Sequence, residues 1–466
     1  MTRIKKMISL LLMATLLVSG FSGCTNSGEE NSQGTTSSDS QKENGGDVGS
    51  KVNSSDNGED YVLKWALTAQ EAQRGETQDM IDLLAEKGIK VEAWTIPQHK
   101  DGEADKLLIS LMGGEEIDIC YDAYPNMKRK HSAGVIMPIE ELANNVGYDL
   151  EGSFGQFLPK FNGTIYGVPA ISDIWLTLYN KKIFDDAGME YPSADNWTWE
   201  KYIETAEKLT DISKGIYGSY MVTEWNNYNY MLATQKGVPH YKEDGSSNHD
   251  DPAFAEALAF NYAFGNDYQV QPDFLTMNSK QLPYDSFTTG NYGMFVCGGW
   301  TTILMSDEEK YPRDWDFGIL PMPYPEGYDK STLSVTGNYW IPTTSQHVEE
   351  AFEAITIIAE DLYKLGYGRV PARVDLSQEK LDTYITEQLV VPFVEDGVTV
   401  DDIKNAWFDP ERIVYPEKIV GPGDVAINQA FNEEGGLYGI GEKSLEEAMK
   451  SIKEKANRAI NDDLNK

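Results

Sequence analysis

Three cysteines stand in this chain, Cys24, Cys120 and Cys297, and only the first sits where a thiol is set up for chemistry. Cys24 closes the stretch "LLLMATLLVSGFSGC" and opens a long polar run. A thiolate is a good nucleophile and can be made to carry a lipid. Cys120 and Cys297 lie in the apolar stretches "EEIDICYDAY" and "YGMFVCGGW" and read as buried small hydrophobes. A disulfide between them stays open, subject to geometry. Catalytic patterns are missing. There is no Gly-x-Ser-x-Gly elbow and no His-Glu-x-x-His helix. His99, His131, His240, His249 and His347 are scattered without ligand spacing, and "CGGW" has no partner base. Among 75 acidic residues no glycosidase pair stands out. The expectation is a non-enzyme with no metal and no cofactor.

The elements around Cys24 explain its position. Arg3, Lys5 and Lys6 form a basic start, Ile8 to Val18 is almost wholly apolar, and Ser19, Gly20, Ser22 and Gly23 are small. That is an export signal, too short for a comfortable span. Residues 25–59 are rich in Ser, Gly, Asn, Asp and Glu and lack aromatics, so they read as a disordered tether. Phe21-Ser22-Gly23-Cys24 resembles the bacterial lipoprotein box, with Phe21 where Leu is usual. The resemblance implies cleavage before Cys24, diacylglycerol (a palmitate-type anchor) on its sulfur, and residence on the outer face of a Gram-positive-type cell membrane. Two acyl chains anchor stably where one does not.

The chain has 466 residues and a formal charge of −36. Such acidity opposes nucleic-acid binding, which runs on phosphate neutralisation. It also disfavours lying flat on an anionic membrane. A body of some 400 residues, counted from the end of the tether, is too large for one modest core, and two domains are expected. It opens with a strand in "YVLKWALTAQ", a helix over Glu76 to Lys87, a second strand in "IKVEAWTI", a helix in "EADKLLISLMGG" and a third strand in "IDICY". This βαβαβ order predicts a layered α/β domain, with Asp122 and Tyr124 just past a strand's carboxyl end. Further on, "GVPAISDIWLTLYN" is a long extended run, Thr198 caps one helix, and Asp251 with Pro252 starts another. A helix is predicted to begin near Ser345, and the tail from Pro371 to be mostly helical.

These pieces resemble family 1 of the bacterial extracellular solute-binding proteins, the sugar-binding components of ABC importers. The likeness rests on "LLAEKGIKVE", "IYGVPAISDIWLTLYNKKIFDDAGM", "NWTWEKYIETAEKLT", "FTTGNYGMFVCGGW", "FGILPMPYP", "GNYWIPTTSQHVEEAFEAI" and "GRVPARVD", taken in order. It implies an α/β, two-lobed periplasmic-binding-protein-like fold of type II, its lobes joined by crossing strands. One lobe would hold residues 60–172 and 320–363, the other 173–319 and 364–466. The ligand would be a carbohydrate, an oligosaccharide, caught by a monomer and passed to ABC permease subunits. By the family position, Trp300 stacks on the sugar.

Sugar faces stack on aromatics, and sugar rims take Asp, Asn, Glu and Arg; the chain offers 10 Trp and 26 Tyr. Of Tyr339 and Trp340, one faces the cleft and the other the core, because strand neighbours point to opposite sides. Trp175 on the first crossing faces ligand or core, and so does Trp65. Asp122 accepts sugar hydroxyls or caps a turn, with Tyr121 and Tyr124 as neighbouring candidates. Trp225 and Asn226 in "TEWNNYNY" form a carbohydrate edge or a surface turn. Arg373 reaches the cleft or pairs with an acid. A polyamine or peptide receptor, or a sensor's partner with no transport role, is the competing reading.

Overall fold

The thirteen-residue run Val168–Asn180 is the longest strand of the fold, and almost every residue in it is buried. The computed structural model describes residues 61–96, 105–221, 228–280, 282, 284–366 and 368–465. The leader, Cys24, the tether, Trp225 and Asn226 lie outside the described residues.

In chain order the strands are β1 (Leu63–Thr68), β2 (Val91–Ile96), β3 (Cys120–Ala123), the small hairpin β4 (Lys160–Phe161) and β5 (Thr164–Ile165), β6 (Val168–Asn180), β7 (Tyr217–Tyr220), β8 (Tyr292–Gly298), β9 (Phe317–Pro321), β10 (Ser331–Trp340) and β11 (Ile413–Pro416). β1 and β2 pair in parallel, and a bridge from Trp65 to Ile119 brings β3 alongside β1. β10 is central: it pairs antiparallel with β3 and with β6, and parallel with β11. The far half of β6 pairs antiparallel with both β8 and β9, and β7 runs parallel to β8.

Two separate cores result. One gathers residues between Leu63 and Ile171 and then Tyr339 to Leu362, where the helix Val348–Asp361 lays Phe352, Ile355 and Ile358 against the first strands. A satellite with Cys120, Met127 and Trp340 adjoins it. The other gathers Ile174 to Leu333 and then Tyr363 to Ile460. Each fully buried Phe, Ile or Leu contributes about 1.5–3 kcal/mol. The cores divide within β6 and within β10, so those two strands are the passage between them.

Local sequence rules hold where side chains close the backbone ledger. Thr198 accepts from the amide of Lys201, and Asp251 caps at Ala253 with Pro252 in the first turn. Asn180 ends β6 by capping the helix Lys181–Ala187, which stops at Gly188 in the left-handed region (φ 65°).

Three expectations need correction. The helix expected near Ser345 starts at Val348, because the Ser345 hydroxyl is spent on Asp118 (2.6 Å). The return crossing expected at residue 320 lies in β10 instead: Leu320, Met322 and Leu333 all pack in the second core, since β9 pairs with the far half of β6. The tail contains β11, which a helical reading missed. Cys120 and Cys297 are free, buried thiols in different cores.

Two imidazoles meet at the second core, His249 buried and His240 half-buried. His240 Nδ1 and His249 Nε2 share a hydrogen bond of 3.1 Å, and His249 Nδ1 shares one of 2.7 Å with the Ser247 hydroxyl. Burial pushes His240 down to about 3 and His249 down to about 4. In the unfolded chain both would titrate near the usual value of about 6.5. Below that pH the unfolded state binds the extra protons. The pair's contribution is therefore complete above about pH 6.5 and falls as pH drops toward 4. We predict that each ring costs about 2 kcal/mol of stability between pH 6.5 and 5. Urea titrations of the wild type and of His240→Asn, which does not titrate there, check this: the variant's stability should fall less over that interval.

Candidate functional site

The carboxyl ends of β1 and β3 and the adjoining part of β10 surround a cavity of about 250 Å³. Parallel strands point their ends the same way, so ligands of α/β layers collect there. Tyr339 is the hub. Its ring meets Trp65 edge-on (5.6 Å between centroids) and Tyr121 at a tilt (5.0 Å). Tyr121 is 36% exposed, and its ring lies on Gly337, where any Cβ would collide with it. Trp65 is 2% exposed, and its Nε1–H has no partner among the described residues. A buried donor left unpaired costs about 1–3 kcal/mol, so this one is poised for an incoming acceptor.

Beneath these rings the cavity floor is a closed ion network. Lys130 Nζ, 3% exposed, lies 2.9 Å from Asp105 and 3.0 Å from Asp122. Asp122 also accepts from Trp340 Nε1 at 3.1 Å. Burial raises the Asp122 carboxyl, and Lys130 opposes that rise. Burial also lowers Lys130, but Asp122 and Asp105 outweigh it and leave the ammonium raised.

A second group of side chains gathers at the end of β8, in the second core. β8 ends at Gly298, and the Trp300 ring folds back over that glycine so closely that a Cβ would overlap it. The hydroxyls of Thr301 and Thr302 fix the turn by donating to the carbonyls of Gly298 and Gly299 (2.7 and 2.8 Å). A Cβ on Gly299 would sit 3.0 Å from Trp407 Nε1 and 3.5 Å from Asp173 Oδ1, so these groups converge on one spot. Trp407 is 8% exposed, and its Nε1–H is unpartnered among the described residues.

Between the two groups stands Asp173, on β6 opposite Val335. It has no hydrogen bond or ion pair among the described residues. Burial pushes its carboxyl up to about 6, with Arg369 opposing and Glu417 and Glu76 adding to the rise. Arg369 is already engaged, since its Nε and Nη2 donate to both Glu76 oxygens at 2.6 and 2.7 Å.

A second cavity, of about 270 Å³, lies on the other edge of the crossing, where β3 and β11 run toward each other along β10. Several of its polar groups are engaged within the protein. Tyr124 donates to the Lys160 carbonyl (2.7 Å), and Glu417 accepts from Trp175 Nε1 (2.9 Å) and from the Tyr228 hydroxyl (3.0 Å). The first cavity, lined by the orphan Trp65 donor and by Tyr121 and Arg369, both of which feel the Asp173 charge, is the candidate site.

Trp65, Tyr339, Tyr121 and Asp122 line this cavity, with Asp122 committed to the floor, whereas Trp300 lies over Gly298 outside its lining. Tyr124 belongs to the second cavity and stacks on Phe161. Trp175 and Trp340 are corrections. Both are fully buried, and their indole N–H groups are taken by Glu417 and Asp122. Strand alternation turns Trp340 away from Tyr339's side, and Tyr228 packs edge-on against Trp175. Arg373 pairs with Asp375 and Glu360 rather than reaching the cavity. Sequence reasoning missed Asp173, Arg369 and Trp407. The signal for Asp173 was a lone acid inside an apolar strand.

Residues 68–361 match the model of the bacterial extracellular solute-binding protein family. A binding protein of Brucella abortus is 21% identical over 53% of this chain, and the chain spans 61% of that curated relative's length. The sn-glycerol-3-phosphate-binding periplasmic protein of Agrobacterium fabrum is 24% identical over 64% of this chain and 76% of its own. The maltooligosaccharide ABC transporter solute-binding lipoprotein of Streptococcus pneumoniae is 21% identical over 70% of this chain and 78% of its own. Among solved structures, an ABC substrate-binding protein from Listeria monocytogenes in complex with cycloalternan is 23% identical, with a TM-score of 0.68 over 86% of this chain and 99% of that one. A sugar transporter from Rhizobium etli in an open conformation is 21% identical, with a TM-score of 0.69 over 85% and 99%. The fold is thus the two-lobed, type II periplasmic-binding-protein-like fold.

The floor network yields a prediction. Replacing Lys130 by Met leaves two buried carboxylates facing each other without their cation. Stability should drop by about 3–5 kcal/mol near neutral pH. Urea unfolding measures the loss, which should shrink as the pH is lowered and the carboxyls take up protons.

Proposed function

The chain belongs to the bacterial extracellular solute-binding protein family, and from that premise we propose that it captures a carbohydrate, an oligosaccharide, between its lobes and delivers it unchanged to an ABC permease. The observation that carries this reading is the pairing of flat rings with unsatisfied polar groups. Trp65 and Tyr121 stand on one wall, Trp300 and Trp407 on the other, and Asp173 between them. A sugar presents apolar ring faces to stack on indoles and phenols. Its hydroxyls both accept from orphan N–H groups and donate to a bare carboxylate, so one guest repairs both defects.

The lobes follow the two cores, with β6 and β10 as crossings between them. Rigid bodies joined at a few strand positions close by hinge motion. Closure over the guest is the change a permease would read. We assign the anchor to Cys24: lipidation there, followed by a flexible tether, holds the folded body outside the membrane as a monomer. The naming of the Streptococcus pneumoniae relative as a lipoprotein supports this. Replacing Cys24 with Ser should release the protein from the membrane fraction into the medium, as immunoblotting of the two fractions would show; retention of the variant on the membrane sinks the lipid assignment.

A ligand that binds only the folded form raises apparent stability, by about 2.7 kcal/mol at a hundredfold excess over Kd. A thermal-shift screen of neutral oligosaccharides should therefore find at least one that raises Tm. Trp300→Ala should weaken that sugar about tenfold, or about 1.4 kcal/mol, with little change in the Tm of the free protein. Shifts by polyamines or peptides alone, or recovery of a chemically altered sugar, would contradict the reading.

A further inference from the structure

We infer that Asp173 makes the cleft a charge filter, admitting neutral and amine-bearing glycans while rejecting uronates and sugar phosphates. This rests on the carbohydrate reading above and adds the class of sugar. The basis is the way charge is committed around the site. Arg369, the cation that most directly opposes Asp173, has its charge met by Glu76, to whose two oxygens Nε and Nη2 donate. Lys130 is held between Asp105 and Asp122. The remaining cation of this wall, Arg74, is exposed at the cavity rim. Glu417 and Glu76 add negative potential at Asp173.

Asp173 thus stands as an acceptor that no described protein donor satisfies. The indoles of Trp65 and Trp407 are buried donors that no described protein acceptor satisfies. Hydroxyls answer both needs, and a protonated amine answers the first more strongly, because a charge-assisted hydrogen bond exceeds a neutral one. A carboxylate or phosphate can accept from the indoles, but it offers Asp173 no donor and meets it as a like charge. It would enter a closing, low-dielectric gap beside a like charge, with Arg369 and Lys130 held by carboxylates and Arg74 out at the solvent-exposed rim, and repulsion there is far less screened than in water. The filter separates this cleft from one built for phosphate, which needs a cation or a helix start free to meet the anion.

The test is calorimetric titration of the full folded protein with three matched sets of probes. These are neutral gluco- and manno-oligosaccharides, their C6-oxidised uronate forms, and glucosamine oligomers of the same lengths. In the wild type, the best neutral sugar should bind at least tenfold more tightly than its uronate form, and the glucosamine oligomer should bind no more weakly than its neutral counterpart. In Asp173→Asn, which keeps the shape and is first checked for an unchanged fold by circular dichroism and Tm, neutral and uronate forms should come within threefold of each other. Equal binding of neutral and uronate forms by the wild type, or an undiminished gap in the variant, overturns the filter and leaves the carbohydrate reading standing. Failure of every glycan to bind the wild type overturns both.

Discussion

The antiparallel pairing of β6 with β10 is the constraint on which everything else hangs. Each strand begins in one core and ends in the other, and their pairing from Ser334–Ile174 to Tyr339–Val168 is the place where the two cores meet. The hydroxyls of Ser172 and Ser334 approach to 3.3 Å inside this ribbon, and Gly337 lets the Tyr121 ring lie against it. The residues of the candidate site are placed by it in turn. Asp173 belongs to β6, Tyr339 to β10, and Gly298, beneath Trp300, is set by pairing with Trp175. A shift of one residue along the ribbon would turn Asp173 into a core and expose an apolar neighbour.

Polar satisfaction differs between the floor and the gap. The buried groups of the floor are all answered: Lys130 by two carboxylates, Asp122 by Lys130 and Trp340. On the hidden side of the second core, Trp175 and Tyr228 converge on Glu417. At the gap, two indole donors and one carboxylate have no hydrogen-bond partner among the described residues, as do buried polar atoms elsewhere such as Tyr262 Oη. Folding alone gains nothing from such gaps, because unpaired buried groups destabilise the chain. Local violations of good packing practice belong where a ligand completes them.

Much of this was legible in the residues. Periodicity and punctuation located the opening βαβαβ unit, the caps at Thr198 and Asp251, and the long crossing strand, since each depends on neighbours within a few positions. The in–out alternation along β10 puts Tyr339 and Trp340 on opposite sides, but could not say which lines the cavity. That choice was made by Asp122, more than two hundred residues away in sequence, which draws in the Trp340 indole. Glu417 likewise claims Trp175. β11 escaped because four residues ending in proline gain strand character only from an edge supplied by β10. Trp407 closes a helix that looks amphipathic and ordinary; only its nearness to Gly299 and Asp173 gives it a part in the site. Long-range choices of this kind carry no local signal.

The double crossing also dictates a timetable. The first core cannot be completed by residues 63–171 alone, because Tyr339, Ile341 and the Phe352–Ile358 face arrive only after most of the second lobe's strands have been made. The second core, in turn, waits for its closing helices up to Ile460. Contacts so distant along the chain delay collapse into the native state, since each must first overcome the entropy of closing a long loop. A nascent copy therefore stays pliable until nearly its full length is available, a property that suits a polypeptide threaded through a narrow export channel before it assumes its final shape.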